Sequence, residues 1–192
     1  NRDLPELTQE WRRFTTHLAV PTELRQGLTQ LRFGQYDIEG TVAFDDLELV
    51  RTIPVYRRMG DLQLGEGERI EEGWYVFNAP FEGESGSHAR PLEKFNTSFN
   101  RPRWLFGPGD WVIYRHAVGS LTQTGGTVEV NVGYYSGGEL VVEAGRDGEA
   151  WKTVGTLNRR ETKTLALPAE LFPAKELWVR LRMPAQSESG QD

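Results

Sequence analysis

The chain has 192 residues, no cysteine and a formal net charge of −6, with 38% hydrophobic and 26% charged residues. That composition excludes disordered and fibrous classes, and zero cysteines exclude disulfides, thiolate zinc sites and cysteine nucleophiles. The acidic balance speaks against nucleic acid as a partner, because phosphate binding needs a basic face. No apolar stretch approaches the ~20 residues of a membrane span, so no membrane partner is expected.

The N-terminal text NRDLPELTQEW lacks the apolar run of a secretory signal, so any export signal is expected to lie upstream or to have been removed. From Trp11, three short β-rich runs follow: WRRFTTHLAVP, GLTQLRFGQYDIEG and TVAFDDLELVR, each closed by Pro, Gly or Asp. Three strands cannot bury two apolar sheet faces, so the first ~50 residues look incomplete alone. Thr52 to Gly60 reads as a linker or crossing strand.

From Asp61 the text gives DLQLGEGERI, GWYVFNAPF, a long irregular stretch from Arg90 to Pro108, then DWVIYRHAV, GTVEVNVGYYS, GELVVEAGRDG, AWKTVGTL, TKTLALP and ELWVRLRM. Runs of this length at roughly 8–12 residue spacing predict a β-sandwich. Asp147-Gly148 and Gly137-Gly138 predict hairpin turns, since both pairs tolerate positive φ. Ser187 to Asp192 is small and polar and reads as a frayed tail.

The stretches TQEWRRFTTHLAVP, LTQLRFG and GTVAFDDLELV resemble the closing strands of a galactose-binding-like jelly-roll carbohydrate-binding module, over residues 8 to 50. The text from GDWVIYRHAV to ELWVRLRM is similar to a second module of that class. Its turn of the form S-x-D-G-x-x-W appears as Gly145, Asp147, Gly148 and Trp151, with Gly where Ser is usual. The resemblance implies an all-β jelly-roll sandwich. Residues 1–52 would close a first module, or add strands to one enlarged sandwich; residues 61–184 would form a complete module and residues 185–192 a flexible tail. It also implies a non-catalytic accessory part of a secreted or periplasmic polysaccharide-active enzyme, with a polysaccharide or oligosaccharide and the covalently linked catalytic domain as partners. Such modules stack sugar rings on aromatics and fix hydroxyls with polar groups.

Of 21 aromatics, Trp11, Phe44, Phe77, Trp151 and Trp178 alternate with aliphatic residues and are expected in the core. Ligand residues are sought where the strand pattern breaks. Between Arg90 and His116 five Lys/Arg face two Asp/Glu. Arg90, Arg101, Arg103 and Trp104, joined by Arg115, form a guanidinium-plus-aromatic set suited to an anionic or polyhydroxyl ligand, for example a uronic-acid glycan. The competing reading pairs this segment with residues 61 to 84, which hold seven acids and one arginine. Of Tyr134 and Tyr135, one should face outward from a strand, and Tyr135 is taken as a second platform.

Glu66 and Glu68, two apart, would share a strand face and suit a structural Ca²⁺, in a pattern LGEGERI that resembles the early Glu-x-Glu of some such modules. The last strand carries Trp178 to Arg182 where those families add an aspartate. Asp45-Asp46 is a further oxygen-donor pair, or the cap of a turn. No motif selects catalytic residues: His17, His88 and His116 lack metal-helix spacing, and Ser85 and Ser87 lack a nucleophile elbow. The enzyme alternatives are a glycoside hydrolase, for which no motif selects a carboxylate pair, and a polysaccharide lyase using His116, Tyr114 and Arg115. The other alternative is a structural spacer or protein-contact module, which requires Trp104 to be buried, whereas glycan binding requires an outward aromatic beside two or more arginines.

Overall fold

The computed structural model describes residues 9–14, 41–48, 57–81, 89–100 and 102–185. Residues 9–14 and 41–48 contain no strand, and the rest of the three strands expected before Arg51 lies outside the described residues. Trp11 and Phe44, expected in the core, are 73% and 40% exposed. The polar tail also falls outside.

Among the described residues thirteen strands follow in chain order: β1 Arg57–Met59, β2 Leu62–Leu64, β3 Glu68–Glu71, β4 Trp74–Phe77, β5 Leu92–Asn96, β6 Ser98–Asn100, β7 Arg103–Leu105, β8 Trp111–Ala117, β9 Thr127–Asn131, β10 Leu140–Gly145, β11 Lys152–Leu157, β12 Thr162–Ala166 and β13 Glu176–Arg182. Every pairing is antiparallel. The main sheet runs β11-β10-β13-β8-β5, and β9 with β12, β3 with β4, β6 with β7 and β1 with β2 form two-stranded pieces. The β-sandwich character expected from the strand spacing is therefore present.

Two-residue alternation divides the main sheet into faces. On the inner face Val142, Leu181 and Val112 lie in one row across β10, β13 and β8, and Ala144, Val179 and Tyr114 in the next. The β9–β12 pair closes over one end, where Val130 and Leu165 pack on Val142 and Leu157. At the other end Phe77, Phe99 and Trp104 cover Phe95, Val112 and Tyr114. Burying each large side chain contributes roughly 1.5–3 kcal/mol, and a third cluster around Ala144, Leu171 and Leu177 adds to these two.

The stretch Arg90 to Pro108, expected to be irregular, instead holds β5, β6 and β7. These are short strands with little regular alternation, ordered by side-chain bonds. The Thr97 hydroxyl shares its one proton between the Leu105 carbonyl and Asp110 Oδ2, which also accepts the Gly107 N–H at 2.8 Å. Asp110 is 5% exposed, so the loop closes around one buried carboxylate rather than over the surface. Gly137-Gly138 also differs from expectation: β9 pairs with β12, so these glycines carry the chain across to β10 instead of closing a hairpin.

Asp147-Gly148 does close the β10–β11 hairpin. Asp147 Oδ1 accepts the N–H groups of Glu149 and Ala150, both at 2.9 Å, an Asx-type turn. A side chain at Gly145 would run into the Ala150 carbonyl, which is why Ser cannot occupy that position here. Gly148 has φ +75, and a Cβ there would stand 2.8 Å from Trp178 Cε3. Gly148→Ala is expected to destabilise by about 2–3 kcal/mol in chemical denaturation, from left-handed backbone and overpacking together. Gly109→Ala, with φ +83 and open space around its Cβ, isolates the backbone cost at about 1 kcal/mol. Equal losses for the two would show that the Gly148–Trp178 contact carries no energy.

Candidate functional site

Trp104 is buried, 8% exposed. Its ring packs at 5.0 Å on Phe95 and 5.3 Å on Phe99 between centroids, and its Nε1 donates to the Tyr114 hydroxyl at 2.8 Å. Burial pushes that hydroxyl up to about 12. A sugar cannot stack on an enclosed ring, so the expectation of Trp104 as a platform is corrected: it is core. Arg101 lies outside the described residues, as do His17, His88, Ser85 and Ser87.

Arg90 points at Glu68. Its Nε donates to Glu68 Oε1 and Oε2 at 2.9 and 2.7 Å, and its terminal nitrogen donates to Oε1 and to the Ala117 carbonyl. Tyr75 donates its hydroxyl proton to Glu68 Oε1 at 2.6 Å, and the Gly65 N–H donates to Oε2 at 2.6 Å. The Glu68 side chain is wholly buried and its oxygens are engaged by this ring of donors. Glu66 sits in the turn before β3, so it does not share a strand face with Glu68. Among the described residues no group of three or more His, Cys, Asp or Glu converges as a metal site.

The trio weighed for a lyase does not converge. Tyr114 and His116 point inward from β8 and Arg115 points outward, where its guanidinium pairs with Glu176 at 2.7 Å. His116 instead meets Tyr75, whose hydroxyl lies 3.3 Å from Nδ1. Because the single Tyr75 proton goes to Glu68, the tyrosine oxygen accepts from His116, which places the imidazole proton on Nδ1.

The outer face of the main sheet holds what sequence reasoning missed. Trp178, Arg180 and Arg182 alternate along β13 with the inward Leu177, Val179 and Leu181. Alternation with aliphatic residues was the reason for placing Trp178 in the core; in a strand the same alternation puts it on the opposite face. Arg115 on β8 lies across from Trp178, its guanidinium 5.5 Å from the ring centroid, and Arg180 stands 4.4 Å over Trp151. Both tryptophans are half-buried parts of an arginine–aromatic ladder. Beneath it Glu143, 4% exposed, accepts from Arg180 at 2.6 Å and from Arg182 at 3.0 and 3.1 Å.

Arg90 and Arg115 come together in an open groove of about 350 Å³, lined also by Asp61, Gln63, Glu93 and Gly119. A larger concavity of about 500 Å³ beside Pro80, Phe81 and Pro102 includes a single ionisable residue, Glu66, so the polar groups that orient a ligand converge in the smaller one. Elsewhere, exposed Arg103 lies beside the loop after β9, its terminal nitrogen 3.9 Å from where a Gly133 Cβ would stand. Tyr134 and Tyr135 fall past the end of β9 and both are exposed, at 67% and 39%, so no in-and-out pair forms there. Tyr135 donates its hydroxyl to the Gly138 carbonyl at 3.1 Å. No protein-family model matches this chain, and no curated protein or solved structure matches it significantly.

Proposed function

We propose that this chain is a non-catalytic glycan-binding β-sandwich of the galactose-binding-like jelly-roll type, an accessory part of a secreted polysaccharide-active enzyme. Its binding surface is the groove where Arg90 and Arg115 meet. The observation that carries this reading is the preorganised arginine pair. Arg90 is fixed from beneath by Glu68, and Arg115 is fixed by Glu176 and by the Trp178 face. Two guanidinium groups held by ion pairs, one of them also against a ring face, offer donors at known positions and lower the ordering cost of binding. Tyr134, Tyr135 and Arg103 supply a second aromatic and cationic surface on another part of the module.

The test is affinity electrophoresis and calorimetry of the 192-residue chain against a panel of soluble glycans. Arg115 is 45% exposed at its side chain, and its ion pair with Glu176 is worth at most about 1 kcal/mol, so Arg115→Ala should stay folded. Its affinity is expected to fall about 10–100-fold, the range for losing hydrogen bonds to a charged group. Unchanged affinity in a folded Arg115→Ala removes the groove from the proposal. The second reading, a structural or protein-contact module, is favoured by the burial of Trp104, and it predicts that no glycan of the panel is retained.

A further inference from the structure

Two arginines in one groove suggest a carboxylate ligand, because guanidinium and carboxylate match bidentately. The surrounding charges point elsewhere. Arg90 is already neutralised by Glu68 and Arg115 by Glu176. Asp61 and Glu93 line the same groove, and Lys175 is the further cation acting on Asp61. Four carboxylates (Asp61, Glu68, Glu93, Glu176) stand against three cations (Arg90, Arg115, Lys175), leaving one net negative charge. An entering carboxylate would give up water for guanidinium groups already paired, beside two acids that repel it.

Asp61 is held in place by its neighbours. The Ser120 hydroxyl donates to Asp61 Oδ1 at 2.9 Å, and that bond holds the carboxyl below its ordinary range, so it stays ionised. Gly119 leaves it room: a Cβ there would come within 3.0 Å of the carboxylate. Arg90, which also lines the groove, donates to the Ala117 carbonyl at 3.1 Å, which fixes this donor in place. A hydroxyl both donates and accepts, whereas a carboxylate only accepts. Acceptors on Asp61 and Glu93, donors on Arg90 and Arg115, and the Gln63 amide offering both therefore form a set that hydroxyl pairs satisfy and carboxylates do not.

Resting on the glycan reading, we infer that the groove selects an uncharged glycan, its neighbouring hydroxyls donating to Asp61 and Glu93 and accepting from Arg90, Arg115 and Gln63, and rejects uronate-bearing chains. Specificity of this kind comes from the repulsive element as much as from the attractive one.

The experiment is calorimetry of the 192-residue chain with neutral gluco-, xylo- and manno-oligosaccharides, with oligogalacturonate and oligoalginate, and with a chitosan oligomer, at low and high salt. A neutral oligosaccharide is expected to bind at least about 10-fold more tightly than either oligouronate, with little salt dependence. The Asp61→Asn/Glu93→Gln double variant, both positions exposed, is expected to lose about 10-fold or more for the neutral ligand, the size of a lost hydrogen bond to charge. In that variant the gap to the oligouronates narrows, while the thermal midpoint confirms folding. Tighter binding of an oligouronate, strengthening at low salt, overturns the inference and leaves the glycan reading standing. Preference for the chitosan oligomer does the same, by showing that the acids recognise an amine. Undiminished neutral binding in a folded double variant also overturns it. No binding of any oligosaccharide overturns both.

Discussion

Glu68→Ala is expected to cost about 3–5 kcal/mol of folding stability in chemical denaturation, the range for removing one partner of a buried ion pair. The size follows from what remains. The Glu68 carboxylate accepts Arg90, the Tyr75 hydroxyl and the Gly65 N–H, and the Arg90 side chain keeps only 16% of its exposure. Without Glu68, the largely buried Arg90 guanidinium keeps the Ala117 carbonyl but loses its counter-charge, and the Tyr75 phenol loses its acceptor. Glu68→Gln keeps the shape but not the charge, and should fall between the alanine variant and wild type. A loss below about 1 kcal/mol in Glu68→Ala would mean that Arg90 swings out through the groove into water. Glycan affinity in the same variant should drop as well, since Arg90 would no longer be held against the groove wall.

Stability is expected to decline by about 3 kcal/mol as the pH falls from about 6.5 to about 4, through His116. Although the residue keeps some exposure, its ring is packed by Phe77 at 5.5 Å, Tyr75 at 5.8 Å and Tyr114 at 6.2 Å. Burial pushes its pKa down to about 4, against the upward pull of the Glu68 carboxylate. Between these two pH values the unfolded chain binds a proton that the folded chain refuses, so unfolding takes up protons and stability rises with pH. The contribution is fully present above about 6.5 and gone below about 4. Glu143 works in a lower window: burial acts upward on its pKa, but hydrogen bonds and charge from Arg182 and Arg180 overcome it and hold it below 4.5. Its stabilisation is therefore lost at more acid pH. Denaturant titrations between pH 7 and pH 4.5 separate the two, and His116→Gln should flatten the slope in that range. A slope unchanged in His116→Gln would assign the effect to another group.

Strand positions were legible from β8 onward because those strands are long enough to alternate. WVIYRHA and ELWVRLR show period two without assistance, and the DG turn between β10 and β11 announces its hairpin. The β5–β7 region was not legible, since its order comes from Thr97 and Asp110 bonding across the loop, a tertiary arrangement without periodicity. For the site, Arg90 and Arg115 were readable as cations but their meeting was not. Arg90 reaches the groove only because Glu68, more than twenty residues earlier, holds it there. Trp178 was misplaced for a different reason: hydrophobic identity outweighed the parity of its position in the strand. The odd and even positions of ELWVRLR separate Leu177, Val179 and Leu181 from Trp178, Arg180 and Arg182, and that signal was present in the sequence alone.

Strand order also bears on how the molecule is made. β13 is the last strand in the described chain, yet it occupies the centre of the main sheet, between β10 and β8. Until residues 176 to 182 have been synthesised, neither β8 nor β10 can gain that neighbour, and the inner rows from Val142 to Val112 have no bridge. Between the synthesis of Gly145 and that of Arg182 a nascent chain therefore carries two unsatisfied strand edges, which makes assembly of this sheet late, non-local and slow by its topology.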